Sequence, residues 1–170
     1  MYLFAFNGPP RSGKSSAAAY LARFYGFRRY ELARRLKLTY CSMIGISIAQ
    51  LERDKFRHRG GLIDLSDNYI KPRFGDDFYA QTVITELNSH VPHNTIITDL
   101  GKTIEQKTLE AAFPNMITVY FSRPGCDFSG DNREYVSALN FETIENVGSV
   151  NLLQKQLRDI MEKYKICMIR

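Results

Sequence analysis

The chain has 170 residues, 44% of them hydrophobic and 24% charged, with a formal net charge of +5. That length suits one domain with a real core and is too short for two, and the mixed composition excludes a largely disordered chain. No run approaches the roughly 18 apolar residues of a membrane span, so no membrane partner is expected. The first apolar run is read as a strand rather than a leader.

Residues 1–7 read as a short buried strand. Gly8-Pro9-Pro10-Arg11-Ser12-Gly13-Lys14-Ser15 follows and matches the pattern G-x-x-x-x-G-K-[ST]. It runs into a helical stretch over 16–24, closed by Gly26. The spacing has a chemical reason. Gly8 and Gly13 let the backbone wrap a phosphate, and successive N–H groups at the helix start supply positive potential. Lys14 then reaches the β/γ-phosphates and the Ser15 hydroxyl can ligate Mg²⁺, with Arg11, Ser12 and Ser16 completing a nucleotide-binding set.

Residues 27–32 read as a short strand or loop, and a helical pattern starts at Leu32 and continues to Met43. A second helix is expected over 48–58, with a basic end (Arg53, Lys55, Arg57, His58, Arg59) stopped by Gly60-Gly61. The stretch 63–70 is ambiguous and is broken by Lys71-Pro72-Arg73-Phe74-Gly75. Asp76 or Asp77 can cap a helix over 78–89. The β-branched run 95–99 has the composition of a strand buried in a parallel sheet. A helix over 105–112, a strand over 116–122, a weaker strand over 141–145 and an amphipathic helix over 150–164 follow, and 166–169 is a last candidate strand. Strands alternating with helices predict a single α/β domain over 1–170, its mostly parallel sheet flanked by helices on both faces.

Asp99 ends its strand at the carboxyl edge, where such sheets place ligands. A carboxylate there can hold Mg²⁺ or take a proton from an acceptor hydroxyl. Arg123 and Arg133 follow the next strand, and phosphoryl transfer needs cations over the equatorial oxygens, so a loop carrying both fits a lid. His58, His90 and His93 have no ligand spacing with nearby Cys or acids, and the aromatic stripe Phe24, Tyr25, Phe27 and Tyr30 is read as core packing. The three cysteines, Cys41, Cys126 and Cys167, fit neither a disulfide framework nor a zinc site, which points to a reducing cytoplasm.

Charge is distributed unevenly. Residues 1–60 hold 12 Lys/Arg and only Glu31, Glu52 and Asp54, a balance of +9 against −4 for the remainder. A basic half suggests a polyanionic partner, and a solvated basic face accounts for the same composition.

Taken in order, several motifs resemble the phage deoxynucleoside monophosphate kinases, within the nucleoside monophosphate kinase branch of P-loop proteins. They are the P-loop, Leu32-Ala33-x-x-Leu36-Lys37, Phe74-Gly75-Asp76-Asp77, Thr98-Asp99 with Glu105, Ser122-Arg123-Pro124-Gly125 with Asp131 and Glu134, and Ile144-Glu145-Asn146-Val147-Gly148-Ser149. The resemblance implies a P-loop NTPase fold, ATP with Mg²⁺, a lid over about 123–136, a base-contacting loop near Asn146 and an acceptor-side helical region over about 30–90. Arg34, Lys37, Arg73 and Asp77 are then the substrate-side residues, and Lys14, Asp99, Arg123 and Arg133 the catalytic ones. A phage-encoded enzyme of this kind would work in the cytoplasm of an infected cell.

The chain departs from that family on the acceptor side. It has Leu100-Gly101-Lys102 where an arginine shortly follows the strand aspartate, and Tyr69 and Pro72 in place of an Arg…Gln pair. Arginine grips a phosphate in a bidentate way that lysine cannot copy. A related group of phage P-loop kinases phosphorylates the hydroxymethyl group of 5-hydroxymethyluracil within DNA, an acceptor that needs no monophosphate clamp and arrives on a polyanion. Three functions are therefore expected to compete: a kinase acting on that group in DNA, favoured by the basic half, a kinase acting on free deoxynucleoside monophosphates, and a non-catalytic ATP-binding regulatory module.

Overall fold

The computed structural model describes residues 2–129 and 131–169; Met1 of the expected first strand, Gly130 of the expected lid and the final Arg170 lie outside the described residues. Five strands, β1 (Leu3–Asn7), β2 (Arg28–Tyr30), β3 (Thr95–Leu100), β4 (Ile117–Ser122) and β5 (Phe141–Glu145), form one sheet in the order β2-β3-β1-β4-β5. Every neighbouring pair is parallel. β1 lies at the centre, all five of its residues buried, with Phe4 opposite both Ile96 and Ile117.

Strand alternation divides the core in two. Phe4 and Phe6 point to one face, where Leu21 of α1 (Lys14–Tyr25) and Leu157 and Met161 of α8 (Val150–Lys163) pack against them. Leu3 and Ala5 point to the other. There they meet Leu36 of α2 (Arg34–Ile44), Leu62 of α4 (Lys55–Asp64), Val83 of α6 (Phe78–Asn88) and Leu109 of α7 (Thr103–Ala112). Both faces of the parallel sheet are thus covered, which is why its central strands β1, β3 and β4 read as largely apolar runs, while the edge strands β2 and β5 do not.

The structure corrects five of these expectations. The helix expected over 48–58 is broken at Asp54 into α3 (Ile48–Arg53) and α4, and α3 starts from a capping box in which Ser47 and Gln50 satisfy each other's amides. Gly60-Gly61 does not stop α4, which continues to Asp64. The ambiguous stretch becomes a π-helical turn, Leu65–Ile70, running on into α5 (Lys71–Phe74). Pro72 follows directly on the π-helical turn, in the first turn of α5, and the chain stays helical through it, so the break falls at Gly75 instead. The segment 166–169 adds no strand; Ile166 is buried in the α1/α8 core and Ile169 donates its N–H to the Phe24 carbonyl. Of the aromatic stripe, Tyr25 and Phe27 are core residues, whereas Phe24 is exposed and Tyr30 stacks on His93.

Candidate active site

The loop between β1 and α1 is shaped by what lies beneath it. A Cβ on Gly8 would come within 2.4 Å of the Phe121 carbonyl oxygen, and one on Gly13 within 2.5 Å of the Asn146 amide nitrogen. Gly13 also carries a φ of 109°, in the region that favours glycine, and Arg11 adopts 64°. The loop is pinned from outside as well: Asn146 Nδ2 donates to the Ser12 carbonyl at 3.0 Å and Arg123 donates to the Arg11 carbonyl at 3.3 Å. Asn146, expected to contact a base, thus also supports the loop from below.

Lys14 Nζ donates to the Gly8 and Pro9 carbonyls, both at 2.6 Å, and its side chain is buried. Burial, followed by the Arg133 charge, lowers its pKa to about 8. Ser15 and Ser16 lie exposed on the first turn of α1 and line, with Arg11, Ser12 and Gly13, a cleft of about 730 Å³. The far wall of that cleft comes from the acceptor-side helices and from the end of β3, through Lys37, Arg59, Ser66, Lys71, Asp99 and Glu105 among others.

Asp99 stands in this wall with both carboxylate oxygens engaged. Oδ1 accepts the Leu32 N–H at 2.8 Å and Oδ2 the Ala33 N–H at 3.1 Å. Ala33, at the N-cap of α2, has no side-chain acceptor of its own, so a strand-end aspartate holds the two amides that lead into the helix and supplies the negative charge that a helix start favours. Burial raises the Asp99 pKa even against those amide hydrogen bonds.

Glu105 was not singled out as a site residue, and the structure places it in the same wall. One of its oxygens, Oε2, accepts the N–H groups of Gly101 and Lys102 at 3.3 and 3.2 Å. Burial, then the neighbouring Asp99 charge, pushes its carboxyl up to about 7. The available signal was its position three residues after the first residue of the helix entry, where a carboxylate reaches back to free backbone amides.

The residues of the expected lid are tied to both walls. Asp131, its side chain 3% exposed, takes a bidentate grip from Arg133 and a 3.3 Å contact from Arg59 on α4. The Arg133 side chain crosses Gly101, where a Cβ would sit 2.4 Å from it. Below, Asn7 at the end of β1 donates to the carbonyls of Leu100 and Glu134 and accepts the Val136 N–H, so the returning limb of the lid is stitched to the sheet edge.

The substrate-side expectations separate here. Lys37 lines the cleft, and its ammonium bonds Glu31 and Glu52, each at 2.7 Å. Burial alone would lower its pKa, and those two carboxylates outweigh that and raise it. Arg34, Arg73 and Asp77 do not line the cleft: the two arginines are exposed, and Asp77 accepts from Gln81 and Thr108. Lys71 and Lys102, from α5 and the α7 entry, stand in the wall instead. Beside Ser66 the buried Tyr79 hydroxyl makes no hydrogen bond. The histidines bond elsewhere, His58 to Tyr40 and the other two to backbone carbonyls. Among the described residues no cluster of His, Cys, Asp and Glu forms a metal cage, and no helix is long and apolar enough to cross a membrane.

No protein-family model and no curated protein matches the chain. Solved structures do. A sugar kinase from Janibacter sp. HTCC2649 superposes with a TM-score of 0.56 at 12% identity, covering 98% of this chain and 95% of its own. A gluconokinase from Sinorhizobium meliloti 1021 gives 0.50 at 13% identity, over 96% and 95%. With its phosphate loop between a central parallel strand and α1, the chain has the α/β P-loop NTPase fold.

Proposed function

We propose that the protein is an ATP-dependent phosphotransferase whose acceptor is of deoxynucleotide type, presented as a hydroxymethyl group on a pyrimidine in DNA. The observation that carries the reaction class is the convergence of the P-loop, Arg123, Arg133 and two carboxylates on one cleft. The names of the two structural neighbours, both kinases, support it. The DNA acceptor is supported by the basic first 60 residues and by an acceptor wall whose Arg59 is engaged by Asp131 rather than set as a monophosphate clamp.

In this reading the acceptor oxygen attacks the γ-phosphorus in line, the bond to the β-bridging oxygen breaks, and ADP leaves. Lys14 exchanges its loop carbonyls for phosphate oxygens, and the α1 amides hold the β-phosphate. Arg123 and Arg133 offset the charge of the transferring group. Asp99 keeps α2 in place, and Glu105, with one oxygen left open, accepts the acceptor proton. The donor set suits Mg²⁺, which takes few protein ligands alongside substrate phosphates: the exposed Ser15 hydroxyl and the Asp99 carboxylate both line the cleft and would hold it. Bound there, Mg²⁺ would offset the negative charge of the phosphates during transfer.

A free deoxynucleoside monophosphate is the second reading, favoured by Lys71, Lys102 and the unpaired Tyr79 hydroxyl in the cleft wall. The test is label transfer from γ-³²P-ATP to hydroxymethylated DNA and to free deoxynucleotides side by side, with Lys14→Ala as control. Label in the polymer, with binding that weakens steeply with salt, is expected. Label only in the free nucleotide selects the second reading, and ATP binding without transfer to either leaves a regulatory module. An unchanged rate in Lys14→Ala would remove the P-loop from the mechanism.

A further inference from the structure

Phe56 is 95% exposed, the most exposed of the large hydrophobic side chains among the described residues. It stands in the first turn of α4, one turn before Arg59 and two before Ile63, both of which line the cleft. Residues three, four and seven apart share a helix face. Phe56 therefore continues the cleft-lining stripe outward, onto the rim. Four residues on, Gly60 occupies the same face, and a Cβ built there meets nothing within 4 Å. A glycine inside a helix costs about 1 kcal/mol relative to alanine, and packing gives no reason for it here. It leaves bare backbone beside an exposed phenyl ring, an opening that a flat group can enter.

The surroundings are cationic. Arg53, at the end of α3, and Arg57, next to Phe56 on α4, are both exposed and form no ion pair among the described residues. Their neighbour Lys55 is already balanced by Glu52, and Asp54 is the one acid left between them. A single aromatic flanked by unpaired guanidiniums differs from a protein-docking face, which would bring several apolar side chains together. It has the composition of a single-stranded nucleic-acid contact, an aromatic platform with arginines on the backbone.

We propose that Phe56, the open helix at Gly60, and Arg53 with Arg57 form a nucleic-acid lip at the mouth of the cleft. A base next to the reacting nucleotide stacks on Phe56, and the arginines hold the flanking phosphates while the reacting base enters the cleft. The proposal rests on the DNA-acceptor reading and deepens it, since a free nucleotide held within the cleft would have no use for a platform on the rim.

The test is fluorescence anisotropy with a short 5′-labelled single strand carrying hydroxymethyluracil, titrated against wild type, Phe56→Ala, Phe56→Trp and the Arg53→Gln/Arg57→Gln double variant. Because Phe56 is almost wholly solvated, Phe56→Ala is expected to melt with wild type and to bind ATP equally well. Its affinity for the strand should fall about tenfold, and Trp should retain it, as base stacking requires. The double variant should flatten the log–log salt dependence by about 1.4, two phosphate contacts on a single strand. If Phe56→Ala and wild type bind the strand alike, the lip is overturned while the polymeric acceptor stands. If wild type fails to bind the strand at all, the DNA-acceptor reading falls and the lip with it. Binding of wild type to phosphatidylserine vesicles that is lost in Phe56→Ala, with strand binding intact, would assign the ring to a membrane surface and overturn the lip.

Discussion

Glu105 shares a cleft wall with Asp99, and two carboxylates set back from water cannot both ionise at the usual pH. Burial and the Asp99 charge hold Glu105 near 7 rather than 4.5, so the proton-accepting form appears as the pH rises through neutrality. Wild-type kcat/KM should therefore climb between about pH 6 and pH 8, and Glu105→Gln should lose that limb together with about 100-fold or more of rate. The same shift has a stability consequence of opposite sense. A raised carboxyl pKa favours the folded state at low pH, and that contribution disappears as pH rises through about 7. Glu105→Gln should thus be more stable than wild type at pH 8, by up to about 3 kcal/mol, and gain nothing at pH 4. Thermal melts at both pH values check this; equal gains at the two would contradict it.

At the scale of elements, α4 carries two adjacent glycines with opposite surroundings. Gly60 faces open space, whereas a Cβ on Gly61 would lie 2.5 Å from the Tyr40 hydroxyl, whose ring closes over the helix there. Gly60→Ala should raise stability by about 0.5–1 kcal/mol through helix propensity. Gly61→Ala should lower it by about 1–3 kcal/mol, because the Tyr40 ring and its contact with His58 must shift. Denaturant midpoints for the two variants should move in opposite directions, and a shared sign would mean that α4 packs differently. The π-helical turn after α4 belongs to the same argument. An extra residue per turn is uncommon and concentrates at functional sites, and here it sets Ser66 and Asp67 into the cleft wall, with Lys71 paired to Asp67 at 2.5 Å.

Across the whole molecule, Asp131 couples the segment after β4 to α4, through Arg133 and Arg59. Its carboxylate is held below the ordinary range: burial would raise it, and Arg133 and Arg59 more than reverse that. Asp131→Ala removes a charged hydrogen-bonding centre worth about 2 kcal/mol, yet leaves the sheet and both cores intact. Amide exchange over 131–136 should accelerate, KM for ATP should rise several-fold, and the global melting temperature should fall by about 4–8 °C at most. Exchange identical to wild type would show that this limb is held by Asn7 and the sheet edge alone.

What the chain-order reading could determine was local. The Gly8–Ser15 spacing, the apolar runs of β1, β3 and β4 and the amphipathic period of α8 are set by sterics and hydrogen bonding within a few residues, and they place a P-loop in a parallel α/β fold. The charge split was equally legible, but not its use. Among the basic residues before 60, Lys37 is neutralised by Glu31 and Glu52, Arg35 pairs with Glu86 and Arg59 reaches Asp131, so only tertiary structure separates paired charge from unpaired. The same holds for Asp99. Its place at a strand end could be read from the sequence, whereas its two amide donors lie 66 and 67 residues away. Neither the burial that shifts Glu105 nor the solvation of Phe56 is carried by a residue and its neighbours. Both follow from which distant elements cover a side chain, and that is decided when the sheet brings β3, the lid and the acceptor helices around one cleft.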